Sequence, residues 1–178
     1  KLTYKRNPNY WNPEQPYLDG ITMTIIADAT VRKLAFQKGD IHSFTPASLL
    51  DAKELKETGK YPLRTGGGGP YVLIPDSMNP KSPWADVKVR YAASYAIDRV
   101  SLAEALGFGF ATPAYQLLQN FEETRIPNLI PTLYDPAKAK ALLKEAGYPN
   151  GFKTTIHAFT RIVPQNYIVA VADQLRKV

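Results

Sequence analysis

Residues 83–113 carry a pattern that leaves the backbone little choice. Val89, Ala92, Ala93, Ala96, Ile97 and Val100 recur at helical spacing. They line one stripe about 100° wide, which a helix must bury to be stable. Asp86 stands where an N-cap belongs, its carboxylate placed to accept a bond from an orphan N–H of the first turn. Asp98 breaks this helix and caps a second, with Ser101 and Glu104 forming a rival capping box. Gly107 follows Leu106 as a left-handed terminator. The segment thus reads as two short tandem helices and a glycine-punctuated loop, within an α/β domain.

The flanking chain alternates between strand and helix signals. Ile21, Met23 and Ile25 alternate with Thr22 and Thr24, predicting a half-buried strand over 21–26. Asp28 or Thr30 caps a helix carrying Val31, Leu34 and Ala35, which Gly39 closes. Residues 40–44 read as a second strand, and Thr45 with Pro46 opens another helix. A parallel pairing with a right-handed crossover is the expected outcome. Residues 61–65 and 71–74 are further strand candidates on either side of four consecutive glycines, 66–69, which have no fixed conformation of their own. Asp135, Pro136, the stripe Ala139, Leu142, Leu143 and Ala146, then Gly147 and Pro149, specify a helix from cap to stop. Asn150-Gly151 turns into a strand over 152–159, with Phe152, Ile156 and Ala158 on one face. A last helix begins after Pro164, with Tyr167, Ile168, Val171, Ala172 and Leu175 inward.

The chain has 178 residues, enough for one substantial core or two small ones. No apolar run approaches the roughly 20 residues of a membrane span. Lys1 at the start, without Met, fits a processed or excised piece. The formal charge of +6 invites a nucleic-acid partner. The basic residues are interleaved with acids, however, as at Lys53, Glu54, Lys56, Glu57 and Lys60, and read as solvated helix faces. No nucleic-acid binding is expected. The absence of cysteine excludes disulfides, thiolate metal sites and cysteine nucleophiles.

Catalytic patterns are missing. His42 and His157 have no ligand spacing between them, and no nucleophile elbow, zinc-protease helix or phosphate cradle occurs. Asp28, Asp86, Asp98 and Asp135 each have a capping explanation. The expectation is a non-enzyme with no catalytic residue, no metal and no cofactor.

Three strings carry a resemblance. They are Asp86-Val-Lys-Val-Arg90, Ser94-Tyr-Ala-Ile-Asp-Arg99 and Gly109-Phe-Ala-Thr-Pro113. The Asn7-Pro-Asn-Tyr-Trp11 motif, the strand, the Asp28-Ala-Thr30 turn and Gly39-Asp-Ile41 follow the same order, as does 134–149. Together they resemble the family 5 extracellular solute-binding proteins, the peptide- and nickel-binding receptors of bacterial ABC importers. The likeness covers nearly the whole chain except 114–131, where members usually carry a proline-rich loop. Residues 74–77, Ile-Pro-Asp-Ser, also depart from the Asn that ends the family's crossing strand.

The resemblance implies part of a two-lobed, periplasmic-binding-protein-like α/β fold of the peptide-binding type II. Residues 1–65 would be a segment of lobe one with strands beneath the hinge. Residues 66–72 would be the glycine-rich joint and crossing strand, and 73–178 the first part of lobe two. The implied function is capture of an oligopeptide or similar solute outside the cytoplasm by hinge closure, with delivery to ABC permease subunits. Nickel complexes, opines and sugars are alternative ligands, and a hydrolase-like enzyme or a protein-interaction domain are alternatives of another class. The implied location is periplasmic or extracellular, with a lipid anchor as an option for the full-length protein. Tyr71, beside the glycine joint, and Phe108, Phe110 and Tyr115, in the loop after the second helix, are the candidates for facing the ligand cleft, because loops at element ends carry binding function. Alone, such a chain is expected to expose apolar faces or sheet edges and to cover them by forming a homodimer.

Overall fold

A computed structural model describes residues 1–66, 68–117, 126–160 and 162–178. The chain divides into two compact units, 1–51 and 52–178. In the first, β1 (Leu2–Lys5) pairs antiparallel with β2 (Gly20–Met23), with Leu2 opposite Met23 and Lys5 opposite Gly20. The ribbon closes through the Arg6 N–H donating to the Asp19 carbonyl at 2.8 Å. β2 overlaps the predicted strand, starting one residue before it and ending at Met23; its partner β1 was not predicted, although Leu2 and Tyr4 alternate with Thr3 and Lys5. Ile21 and Met23 are exposed, not half-buried, because no described layer covers either face of the ribbon.

The expected parallel crossover is absent from the described residues. Residues 40–44 are bend and coil, and the one described sheet is the antiparallel pair. The physical reason lies in α1 (Ala29–Lys38), which buries none of its residues and so presents no packed layer on which a crossover could return. Asp28 caps α1, accepting from the Val31 N–H at 2.8 Å, and Gly39 ends it at φ 86°. α2 (Leu49–Glu57) starts later than the Thr45-Pro46 signal indicates. Ser48 takes the capping role: its hydroxyl accepts from the Asp51 N–H at 3.1 Å and donates to the Asp51 carboxylate at 2.9 Å. This reciprocal pair outcompetes a cap three residues upstream.

The second unit is helical at its centre. A 3-10 turn (Pro83–Ala85) leads into α3 (Val87–Ala96), and α4 (Arg99–Gly107), α5 (Pro136–Glu145) and α6 (Gln165–Leu175) follow. Asp86, Asp98 and Asp135 cap α3, α4 and α5, accepting from Lys88, Ser101 and Lys138 N–H groups at 2.7, 3.0 and 2.9 Å. Asp98 therefore wins over the rival box at Ser101.

The core lies between α3 and α5. Val89, Ala92 and Ala96 meet Ala139 and Leu143, with Trp84, Phe152 and Leu175 packed around them. Small side chains on both helices, Ala92, Ala96 and Ala139, sit in this contact, and small residues there permit close approach of helices. Val100, at the end of the predicted stripe, is exposed. It lies on α4, where the helix direction has already changed. Two polar ties lock the ends. The Asp135 N–H donates to the Tyr95 carbonyl at 2.8 Å, and the Asp98 N–H donates to the Gln174 side-chain carbonyl at 2.8 Å.

Gly107 does not terminate α4 in a left-handed conformation; it is the helix's buried last residue, and Phe108 takes the left-handed position at φ 49°. Gly147 behaves as predicted, at φ 88°, with the Tyr148 N–H returning to the Leu143 carbonyl at 2.8 Å. Residues 61–65, 71–74 and 152–159 form no ladder among the described residues. A strand needs a neighbour to satisfy its backbone groups, and none of these segments has one. Residues 118–125, within the 114–131 stretch for which no structure was predicted, and one glycine of the 66–69 run lie outside the described residues.

Candidate ligand-contact surfaces

Tyr71 follows the glycine run and packs on α6. Its ring meets that of Tyr167 edge-on, centroids 5.3 Å apart at 68°. Burial, and secondarily Tyr71 itself, pushes the Tyr167 hydroxyl above its ordinary pKa. Tyr71 remains 53% exposed, so one of its faces is available.

Phe108, Phe110 and Tyr115 sit in the loop that leaves α4. The loop starts with two left-handed residues, Phe108 and Gly109 at φ 49° and 83°, and the Phe110 N–H closes the turn on the Gly107 carbonyl at 2.8 Å. A non-glycine residue in this region is uncommon, and Phe108 persists there because the helix end and the turn fix it from both sides. Lys56 of α2 places its ammonium 5.4 Å from the Phe110 ring centroid. The Arg99 guanidinium stands 5.7 Å from the Tyr115 ring centroid. The structure thus gives three of the four candidates an aromatic or cationic neighbour. Tyr71 is held by α6, Phe110 faces α2 and Tyr115 faces the start of α4.

Sequence reading missed Arg99, Lys56 and Tyr167. Arg99 is the most built of these. It donates to the Ser94 carbonyl at 3.0 Å, the Ser94 hydroxyl at 2.9 Å and the Ile97 carbonyl at 3.4 Å. Burial lowers its pKa, with Tyr115 acting in the opposite direction, yet a guanidinium stays charged at neutral pH. The available signal was an arginine directly after a capping aspartate and five residues beyond a serine.

Two hollows are formed elsewhere. One of about 450 Å³ in the first unit is lined by Arg6, Asn7, Pro8, Tyr10, Pro13 and Gln15, the turn-rich opening motif. Another of about 80 Å³ borders the core between Trp84, Phe152 and Val178. None of Tyr71, Phe108, Phe110 and Tyr115 lines either. Among the described residues no cluster of three or more His, Asp or Glu side chains is placed to hold a metal ion. His42 and His157 are both exposed. No described helix is long and apolar enough to cross a membrane.

The chain has part of the two-lobed, type II periplasmic-binding-protein fold. A solved structure of the ABC transporter-associated periplasmic binding protein DppA from Helicobacter pylori, in complex with the peptide STSA, superposes on 98% of this chain. The TM-score is 0.73 and the sequence identity 26%, and the match takes up 34% of that protein.

The model of the bacterial extracellular solute-binding proteins, family 5, middle region, matches residues 1–178, and the chain belongs to that family. Among similar relatives, the glutathione-binding protein GsiB of Pectobacterium atrosepticum is 38% identical over 148 residues, 83% of this chain and 28% of the relative. GsiB of Escherichia coli K12 is 37% identical over 153 residues, 85% of this chain and 29% of the relative. The chain therefore spans less than a third of the length of these curated relatives. The family is one of solute-binding proteins, not of enzymes.

Proposed function

We propose that this chain is part of the substrate-binding component of an ABC importer that captures a peptide or peptide-like solute outside the cytoplasm. The observation that carries this reading is the likeness over 98% of the chain to a binding protein solved with a peptide. Relatives named for glutathione, itself a modified tripeptide, support the same ligand class. In this reading residues 1–65 belong to lobe one, 66–72 form the joint and crossing strand, and 73–178 begin lobe two. Ligand contacts to both lobes stabilise a closed state, which the permease subunits then recognise. The receptor works in the periplasm or at the outer cell surface, free or held by a lipid anchor.

Tyr71, Phe108, Phe110 and Tyr115 contribute apolar contact area to the cleft, the aromatic lining that small-molecule sites favour. The test is calorimetric titration of the intact receptor polypeptide carrying this chain, using glutathione, the tetrapeptide Ser-Thr-Ser-Ala and a nickel complex. Saturable binding of either peptide is expected. Binding of the nickel complex alone would overturn the peptide assignment.

A further inference from the structure

The loop after α4 is anchored at both ends, by different means. At its start the anchoring is backbone: Gly107 lies against Ala111 with no room for a side chain, and the left-handed pair Phe108 and Gly109 folds Phe110 back onto the helix end. At its far end the anchoring is a side chain, Arg99. This residue opens α4, and three acceptors fix its guanidinium. All three belong to Ser94 and Ile97, at the C-terminal end of α3. Unpaired carbonyls and the negative end of the helix dipole make this a natural seat for a cation. With Nη1 and Nη2 donating there, the guanidinium stands over the Tyr115 ring, 5.7 Å from its centroid.

The elbow that carries Arg99 is itself fixed. Asp98 caps α4, and its own N–H is held by Gln174 of α6. Position therefore passes from α6 through the α3–α4 elbow and Arg99 to the loop.

We infer that Arg99 is a positioning residue for solute binding, holding the Tyr115 ring and with it the 108–115 loop in a preorganised shape. The inference rests on the reading above that this loop borders the cleft. Arg99 need not touch the solute. It spares the receptor the cost of ordering the loop on binding, which is how preorganisation raises affinity. Lysine cannot substitute. Its ammonium is a point charge without the planar fork needed to bond two acceptor residues and stand over a ring at once.

The test uses the intact receptor and the variants Arg99→Lys, Tyr115→Phe, Tyr115→Leu and the double variant Arg99→Lys/Tyr115→Leu. Dissociation constants for glutathione and Ser-Thr-Ser-Ala are measured by calorimetry, beside Tm and the NMR resonance of the Arg99 Nε–H group. Arg99→Lys and Tyr115→Leu are each expected to weaken binding by about fivefold or more, the range a cation–aromatic contact sets. The double variant should be no worse than the weaker single, because both changes remove one coupling. Tyr115→Phe, which keeps the ring, should bind like the parent. The Arg99 Nε–H resonance should move in Tyr115→Leu and stay put in Tyr115→Phe.

An unmoved resonance in Tyr115→Leu overturns the inference whatever the solute. So does weakened binding in Tyr115→Leu with unchanged affinity in Arg99→Lys. A moved resonance with unchanged affinities in every variant overturns the cleft assignment of the loop, and leaves the Arg99–Tyr115 contact standing as a purely structural one.

Discussion

Gly107 packs against Ala111 so closely that a β-carbon on the glycine would stand 2.5 Å from the alanine methyl. Both residues are short, so neither has a flexible end to swing away. Glycine is required here for closeness, since Gly107 is helical and buried and needs no positive φ. Gly107→Ala is expected to destabilise the fold by about 1–3 kcal/mol, as overpacking does. This holds although alanine is by about 1 kcal/mol the better helix residue. Adding Ala111→Gly should restore most of the loss. Urea unfolding of the three variants checks it, and additive losses would refute the contact.

The α3–α5 contact makes a second prediction. Ala92 and Ala139 are both fully buried in it, and Leu143 is 7% exposed. Leu143→Ala removes the largest side chain α5 contributes to the core, and should cost about 2–5 kcal/mol. Ala139→Leu inserts volume where the helices touch, and should cost about 1–3 kcal/mol or more. Opposite changes of size should therefore both lower the denaturation midpoint. A neutral Ala139→Leu would mean the helices can part without loss.

The elements legible in the sequence were those whose signals are local. Asp28, Asp86, Asp98 and Asp135 each cap the helix they precede, because a carboxylate two or three residues before an N–H is a self-contained arrangement. Gly39 and Gly147 were legible for the same reason. Strands were not. A run such as Tyr71-Val-Leu-Ile74 has strand composition, but a ladder depends on a neighbour that no local pattern specifies. β1 does alternate, Leu2 and Tyr4 against Thr3 and Lys5, but over only four residues, and was passed over. Gly107 was misread because a terminator and a close-contact glycine look identical until Ala111 is seen beside it. Of the candidate surface, the aromatic residues were legible from their loop positions, whereas Arg99 depends on contacts across an elbow.

Acid should weaken the capped helices, with a definite sign. The Ser101 hydroxyl donates to the Asp98 carboxylate at 2.6 Å and the Ser101 N–H does so at 3.0 Å. Led by the hydroxyl bond, these hold the Asp98 pKa below its ordinary 3.8. Asp51 is lowered likewise, first by the Ser48 hydroxyl and then by Lys33. The unfolded chain takes up these protons at a higher pH than the folded one. The stabilisation is therefore complete above about pH 4 and is lost as pH falls through the depressed folded values. Asp98→Asn keeps a good cap without a titrating group. It should match the parent near neutrality and show a shallower fall in Tm below about pH 4. An unchanged acid limb would remove Asp98 from the account.

Ligand contact is tested by truncation. Tyr71→Ala and Phe110→Ala each remove a partly exposed ring from a loop end. If these rings line the cleft, at least one substitution should weaken glutathione or tetrapeptide binding by about tenfold, since a few buried aromatics carry most of the energy of such sites. Tm should fall little, because neither ring belongs to the α3–α5 core. Calorimetry on the intact receptor decides, and unchanged affinity in both variants would place the cleft elsewhere.

The 178-residue chain on its own should self-associate. Tyr71, Val72, Leu73 and Ile74 are consecutive, apolar and exposed, Ile74 to 88%, and they form no ladder among the described residues. Met78 and Ile130 are 93% and 89% exposed. An extended apolar segment with free backbone groups is a template for pairing with a second copy, and scattered lysines are the usual defence. In an extended chain Val72 and Ile74 point to the same side, so Val72→Lys/Ile74→Lys places two charges on one face. That variant should shift the chain toward monomer in light scattering, while the α3–α5 core keeps its unfolding midpoint. If the parent chain is monomeric at every concentration, or if the double variant associates as strongly, the 71–74 segment is not the contact.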